Sequence, residues 1–97
     1  MRSLDDIIRA LRGIQPELRQ RYPIRALGVF GSYVHGQQTE TSDLDILVDL
    51  NGGIGLFGLA GLQQDLTDAL GIKVDLVLKD AVRRRIGQRI MSEVVML

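Results

Sequence analysis

The segment from Asp43 to Leu50, "DLDILVDL", constrains the fold more than any other part of this sequence. Successive residues of a β-strand point to opposite faces of a sheet. Asp43 and Asp45 would therefore lie side by side, while Leu44 and Ile46 enter the core. Two carboxylates this close repel each other unless a proton or a cation lies between them. The segment predicts a half-buried strand whose polar face carries a functional site.

Other segments alternate between strand-like and helix-like patterns. Short apolar runs at 24–30, "IRALGVF", and 73–78, "KVDLVL", are typical of strands. Apolar residues recur at helical spacing in 4–11 and 56–70, and a last helix is expected after Asp80. This order predicts an α/β (α+β) domain: a small mixed sheet of about three to four strands flanked by helices. The helix between the second and third strands predicts that those strands are parallel.

The N-terminal helix carries clear start signals. Ser3 is expected to be the N-cap, with Asp5 and Asp6 in the first turn, where the helix dipole favours acids. Gly13 weakens the helix, and Pro16 is expected to open a second short helix at its first position.

Length and composition narrow the class of protein. The 97 residues predict a single domain spanning 1–97. Because a chain this small buries a modest fraction of its surface, we expect it to bind a partner or to form an oligomer. The absence of cysteine excludes disulfides and thiolate metal sites. No apolar run approaches the roughly 18 residues of a membrane span, and acids interrupt the N-terminal periodicity, which does not fit a signal peptide. We therefore expect a cytoplasmic protein without a membrane partner.

The charge is balanced in total but unevenly distributed. Residues 26–82 contain eight acids and two lysines, whereas the segments on either side are basic. An acidic centre argues against a domain-wide nucleic-acid surface, and we expect no direct nucleic-acid partner. It suits a site that holds cations.

A third acid, Asp75, lies within the apolar run of the third strand. If the second and third strands are neighbours, Asp75 can join Asp43 and Asp45. Hard oxygen ligands without histidine or cysteine suit Mg²⁺ or Mn²⁺, and three carboxylates can hold two cations for phosphoryl chemistry. An isolated Asp-x-Asp is more often a solvent-facing strand end. The third acid favours the metal site over that alternative.

The "GS" step at Gly31 and Ser32 follows the first strand directly. Glycine permits a positive φ and a close approach of the backbone to a ligand. If Ser32 opens a helical turn, its N–H and hydroxyl form a small phosphate cradle. Gly36 would let the chain reverse. Ser42 could hydrogen-bond or cap the loop, a role that is structural as readily as functional.

These residues together resemble the signature of polymerase-beta-like nucleotidyltransferases. The match is "GSYVHGQQTETSDLDILV": Gly-Ser, a glycine four residues after the serine, then Ser-Asp-x-Asp-x-x-Val. The stretches "GLFGLAGLQQDLTDALGIKVDLV" and "RIGQRIMSEVVML" are similar to the rest of the minimal nucleotidyltransferase (MNT) proteins, so the resemblance covers almost the whole chain.

The resemblance implies roles for the site residues. Gly31 and Ser32 would hold the triphosphate of ATP, and Ser42, within the signature, is taken as a third nucleotide-binding residue. Asp43 and Asp45 would bind two metal ions. Asp75 would complete the metal site and help to deprotonate the acceptor hydroxyl.

The resemblance also implies a biological role. Small MNT proteins are typically antitoxins paired with an all-helical HEPN toxin, a ribonuclease. They silence it by transferring AMP from ATP to a tyrosine near its active site. The expected activity is therefore that of a metal-dependent protein adenylyltransferase with a HEPN toxin as partner.

Two positions depart from the family pattern and open an alternative. Relatives often have arginine where this chain has Tyr33 and His35, and an arginine there would offset triphosphate charge. Tyr33 either stacks on a base or covers the loop, and His35 is expected to hydrogen-bond within the loop. The alternative is an antitoxin that neutralises its partner mainly by direct binding, with weak or no transferase activity.

The segment "GIGLFG", 53–58, matches the dinucleotide-binding fingerprint G-x-G-x-x-G. One strand–helix–strand unit supplies only half of such a site, and the preceding strand is rich in aspartate. We therefore interpret these glycines as a flexible turn followed by a tightly packed helix start.

Overall fold

The computed structural model of the chain describes residues 3–81 and 92–97. The elements are α1 (Leu4–Arg21), β1 (Ile24–Phe30), a short 3₁₀ turn (Gly31–Tyr33), β2 (Leu44–Leu50), α2 (Gly55–Leu70), β3 (Val74–Leu78) and β4 (Val95–Met96). Residues 79–81 and 92–93 are also helical. The last helix, expected after Asp80, falls largely outside the described residues.

The four strands form one mixed sheet in the order β3-β2-β1-β4. β2 and β3 are parallel, and β1 runs antiparallel to both β2 and β4. α2 connects the two parallel strands, as the sequence predicts. The fold class and the strand number are confirmed.

One face of the sheet packs against both helices and forms the main core. Leu44 and Ile46 of β2 are fully buried there, which confirms the predicted alternation. Other buried members come from both helices and from the neighbouring strands: Ile7, Leu11, Leu18, Leu27, Val29, Leu62, Leu66, Leu70 and Val74. On the opposite face, Phe30 and Leu47 form a smaller apolar cluster. The functional site must therefore lie on that opposite face or at an end of the sheet.

The N-terminal segment is one helix, so the prediction of a second helix opening at Pro16 is wrong. A proline inside a helix removes one backbone hydrogen bond and costs about 3 kcal/mol. Ile7, Leu11 and Leu18 remain on one buried face, and each contributes roughly 1.5–3 kcal/mol by its burial. Their burial outweighs the proline.

One end of each long helix follows its sequence signal, the start of α1 and the end of α2. The predicted cap at Ser3 is confirmed, because its hydroxyl accepts a hydrogen bond from the Asp6 N–H and its own N–H donates to the Asp6 carboxylate, both at 3.2 Å. Gly71 ends α2 with a φ of 69°.

No helix in the described part of the chain is long and apolar enough to cross a membrane.

Candidate active site

The register of the parallel strands brings two of the predicted acids together. Asp45 of β2 and Asp75 of β3 are direct neighbours across the ladder. Laterally paired residues of adjacent strands share a face of the sheet, so their carboxylates lie on the face opposite the helices. Asp75 is exposed, and Asp45 is partly buried. The sequence-based expectation that Asp75 lies beside the acid pair agrees with this placement.

The pKa of Asp45 is affected by burial and by the charges of the other two acids. Burial is the largest cause that raises the pKa of Asp45, from 3.8 to about 6, and the charges of Asp75 and Asp43 raise it further. Asp43 itself is exposed and directly precedes β2. The three carboxylates therefore form one electrostatically coupled group at the N-terminal ends of β2 and β3.

Gly31 places the end of β1 against this group. Phe30, the last residue of β1, pairs with Asp45, and Gly31 follows with a φ of 79°. A Cβ atom added at Gly31 would collide with Oδ2 of Asp45. Glycine is therefore required here twice, for the left-handed backbone and for the space that the Asp45 carboxylate occupies.

The loop after Gly31 folds back on itself, as its composition predicts. Ser32 lies in the 3₁₀ turn, its carbonyl accepts a hydrogen bond from the Gln37 N–H at 2.9 Å, and Gly36 adopts a φ of 66°. Ser42 closes the loop: its hydroxyl accepts from the Thr39 N–H at 2.8 Å, and its own N–H donates to the Thr39 carbonyl at 3.1 Å. The expected loop hydrogen bonds of Ser42 are confirmed.

The two positions without arginine have different environments. Tyr33 is only 5% exposed and joins the main core, so it covers the base of the loop and leaves too little exposed ring to stack on a nucleobase. His35 is exposed, and its Nε2 lies 3.2 Å from Oε2 of Glu93. That contact joins the loop to the C-terminal segment. We expected His35 to hydrogen-bond within its own loop, and this was wrong because its partner is Glu93. No sequence pattern indicates a contact between two residues so far apart in the chain.

A metal ion fits the chemistry of these donors. Carboxylate oxygens are the ligands that Mg²⁺ and Mn²⁺ prefer, and a cation would relieve the repulsion that raises the pKa of Asp45. Within residues 3–81 and 92–97, no three carboxylate or imidazole groups already converge closely enough to hold an ion. Asp43, Asp45 and Asp75 would therefore have to close around a metal by rotation of their side chains.

A cavity of about 510 Å³ opens beside Asp43. The loop 39–43 forms one wall, and the connection between α2 and β3, 71–73, forms another. Lys73 lies on its rim and was not selected from the sequence. Its position two residues before Asp75 is the signal that could have identified it, because alternation along a strand places such residues on one face.

The glycine-rich segment 53–58 lies at the other end of β2 from the acids. It follows the C-terminal end of that strand, and Gly55 begins α2. A Cβ atom added at Gly58 would lie 2.9 Å from Cβ of Ile54, which agrees with the interpretation of a tightly packed helix start. A larger cavity of about 610 Å³ adjoins this turn, but none of the three clustered acids lines it.

Comparison with known sequences identifies the family. The chain matches the nucleotidyltransferase domain family over residues 11–96. The protein adenylyltransferase MntA of Thermococcus cleftensis is 41% identical to it over 95 residues, which cover 98% of this chain and 96% of that protein.

Comparison with solved structures agrees. A protein assigned as a minimal nucleotidyltransferase superposes with a TM-score of 0.79 at 28% identity, covering 99% of this chain and 97% of the other. A chain of a toxin–antitoxin complex solved with AMP-PNP superposes with a TM-score of 0.68 at 28% identity, covering 95% of this chain and 69% of the other. The chain therefore belongs to the nucleotidyltransferase domain family, as a nucleotidyltransferase of the minimal type.

Proposed function

We propose that this protein transfers AMP from ATP to a hydroxyl group, in the first place a tyrosine, of a HEPN-class ribonuclease toxin, and acts as its antitoxin. The observation that carries the proposal is the in-register pairing of Asp45 with Asp75 beside Gly31. The toxin class and the acceptor follow from the resemblance of the sequence to MNT antitoxins. A relative named as a protein adenylyltransferase and a structural neighbour in a toxin–antitoxin complex with AMP-PNP support AMP transfer within a toxin–antitoxin pair.

Asp43, Asp45 and Asp75 would hold the metal ions, Mg²⁺ or Mn²⁺. When bound, these ions neutralise the triphosphate and stabilise the charge that develops on the leaving pyrophosphate. Gly31 keeps the space for the Asp45 carboxylate clear. Ser32 forms no side-chain hydrogen bond within the described residues, so its hydroxyl is available to a phosphate oxygen. Ser42 would contribute by fixing the loop around the nucleotide.

We expect the sheet order to keep the two substrates apart. The Gly31–Ser32 step leaves from β1 on one side of the acids, and Asp75 lies on β3, an edge strand of the described sheet. The phosphates of ATP would bind on the β1 side. A hydroxyl on another protein can then approach over β3, where Asp75 is exposed. Much of the catalytic effect would come from this positioning.

The reaction consists of one substitution at phosphorus. The acceptor oxygen forms a bond to the α-phosphorus of ATP, and the bond from that phosphorus to the oxygen bridging the β-phosphorus breaks. Pyrophosphate leaves. The proton of the acceptor hydroxyl passes to the Asp75 carboxylate, so Asp75 serves as the general base.

Isotope position gives a direct test. The protein, Mg²⁺ and a HEPN-class toxin are incubated with ATP labelled either at the α-phosphate or at the γ-phosphate. Label from the α-phosphate should appear on the toxin, and label from the γ-phosphate should leave with pyrophosphate. Transfer of γ-label would indicate a kinase, and no transfer while toxin activity is still neutralised would favour the alternative of an antitoxin that acts by binding alone.

A further inference from the structure

The cavity beside Asp43 is lined by both polar and apolar side chains, and it lies at the same end of the sheet as the three carboxylates. Its loop wall presents the hydroxyl groups of Thr39, Thr41 and Ser42, and its rim carries two acids, Glu40 and Asp43. The Thr39, Thr41 and Ser42 oxygens are linked by hydrogen bonds of 3.2 Å, which keeps this wall ordered. Hydroxyl groups donate hydrogen bonds to phosphate oxygens as readily as they accept them from each other.

Lys73 is the cationic side chain on this rim, and its position is fixed by the backbone. Its carbonyl accepts a hydrogen bond from the Leu44 N–H at 2.8 Å, which places Lys73 laterally beside the start of β2. The residue is exposed. Within residues 3–81 and 92–97 its ammonium group forms no ion pair, although Glu40 and Asp43 line the same cavity.

The second lysine of the sequence gives a contrast. Lys79 lies at the opposite end of β3, and its Nζ is 3.7 Å from Oδ2 of Asp49. Lys79 thus has a structural partner, whereas Lys73 has none among the described residues. A cation that is held near acids but does not pair with them is available to a ligand that brings its own negative charge.

The negative charges of the site and of a bound triphosphate exceed the positive charge that two divalent ions supply, so a further cation is expected. Asp43, Asp45 and Asp75 bring up to three negative charges, and a nucleoside triphosphate brings about four more. Two divalent ions offset only about four of these. Tyr33 is buried and uncharged, and His35 contacts Glu93, so neither residue is placed to offset the phosphate charge.

We propose that Lys73 binds the phosphate chain of the nucleoside triphosphate by reaching across the acids from β3, while the Gly31–Ser32 step holds the same chain on the β1 side. The inference rests on the proposed function, since it requires that the site takes ATP. It adds a binding residue and a charge source that the Gly-Ser and Asp-x-Asp signature does not contain. The flexible stem of a lysine lets its ammonium group reach over the neighbouring strand as a point charge.

Calorimetric titration with AMP-PNP and Mg²⁺, with no acceptor protein present, tests nucleotide binding separately from AMP transfer. Lys73→Met should raise the Kd about tenfold, which corresponds to the loss of one charge-assisted contact. Lys73→Arg should restore the affinity to within about threefold, since it restores the charge. Lys79→Met is the matched control, because it removes the same charge from the other end of β3, and it should leave the Kd unchanged.

Further arms identify the group that Lys73 contacts. The Kd of pyrophosphate with Mg²⁺ should rise in Lys73→Met as that of AMP-PNP does, and any weak binding of adenosine should be equal in both proteins. The effect should shrink as ionic strength rises. Equal AMP-PNP affinity of wild type and Lys73→Met would overturn the inference, and so would an equal loss in Lys79→Met. Absence of AMP-PNP binding by the wild type would instead overturn the proposed function.

Discussion

The carboxylates at the two ends of β2 occupy similar positions on the strand but have neighbours of opposite charge. Asp45 and Asp49 lie four residues apart, on the same face of one strand. Oδ2 of Asp49 is 3.8 Å from Arg25 and 3.7 Å from Lys79. Asp45 instead faces two further acids, and its pKa is raised to about 6. Among the described residues, the carboxylate at one end of the strand has cationic partners, and the carboxylate at the other end has none.

This difference distinguishes a carboxylate that stabilises the fold, Asp49, from one that is kept for function, Asp45. The chain contains as many lysines and arginines as acids, so it is not short of cations. A carboxylate cluster without a partner destabilises the fold, and proteins retain such clusters where a ligand completes them. The comparison therefore predicts that substitutions at the Asp45 end affect activity first, while substitutions at the Asp49 end affect stability alone.

The largest expected effect is that of replacing the acid pair. Asp43→Asn combined with Asp45→Asn keeps side-chain size but removes the charges that would hold divalent ions. We expect AMP transfer to the partner toxin to fall at least about a thousandfold. The measurement is the initial rate of incorporation of α-labelled AMP.

The fold of that double variant should be retained, because the substitution relieves repulsion between like charges. Circular dichroism and thermal unfolding provide the control. If the double variant still protects cells from the toxin while transfer is lost, neutralisation depends on binding and not on chemistry. Transfer at the wild-type rate would remove these two aspartates from the mechanism.

The next effect comes from the glycine that borders the acids. Gly31→Ala places a Cβ atom where Oδ2 of Asp45 lies, and it forces alanine into a left-handed conformation. The backbone alone costs about 1–2 kcal/mol. Displacement of the carboxylate should in addition reduce AMP transfer about a hundredfold, measured under conditions where the variant is fully folded.

Gly36→Ala is the matched control for the backbone contribution. Gly36 also has a positive φ, of 66°, but an added Cβ atom meets nothing within 4 Å. It should lower stability by about 1 kcal/mol and leave transfer within about threefold of wild type. Equal loss of activity in both variants would mean that loop conformation, and not the position of Asp45, limits the reaction.

The parts of this site that could be predicted are those that a single strand determines. Alternation in "DLDILVDL" was enough to assign Leu44 to the core and Asp45 to the opposite face, because a strand has a period of two whatever surrounds it. The position of Asp75 required one further assumption, that β2 and β3 are neighbours. The helix between them makes that assumption the natural one.

The parts that could not be predicted depend on contacts between distant segments. Pro16 is a local signal for a helix start, but the burial of one continuous helix face overrides it. β4 pairs with β1, from which it is separated by most of the sequence. Its two residues are too few to show the alternation that identifies a strand. Tyr33 follows the Gly-Ser step like a ligand-facing residue, yet its ring fills the core.

A smaller effect concerns the pH dependence of stability. The folded pKa of Asp45, about 6, lies above its ordinary value of 3.8, so the folded state binds the proton more tightly. The resulting stability is fully present below about pH 4 and is lost as the pH rises through about 6. A shift of this size corresponds to about 3 kcal/mol for a fully buried carboxyl, and the partial exposure of Asp45 reduces the expectation to about 1 kcal/mol.

Asp45→Asn isolates this contribution. In the presence of a chelator, the variant should be more stable than wild type by about 1 kcal/mol at pH 7.5, and the two should converge near pH 4. Urea unfolding at both pH values measures the difference. Mg²⁺ at pH 7.5 should reduce the advantage of the variant, since it stabilises only a site with the full set of carboxylates. A constant difference at all pH values would show that Asp45 titrates normally.

The smallest effect is expected at the opposite end of the strand. Asp49→Asn removes two partly exposed ion pairs, with Arg25 and Lys79, whose combined contribution is about 0.5–1 kcal/mol. A double-mutant cycle with Lys79→Met should give a coupling energy of about 0.5 kcal/mol that decreases with salt. AMP transfer should remain at the wild-type level, because no group at this end faces the nucleotide. A loss of transfer in Asp49→Asn comparable to that in Asp45→Asn would mean that the whole acidic face of β2 acts as one field, and the division between a structural and a functional end would have to be abandoned.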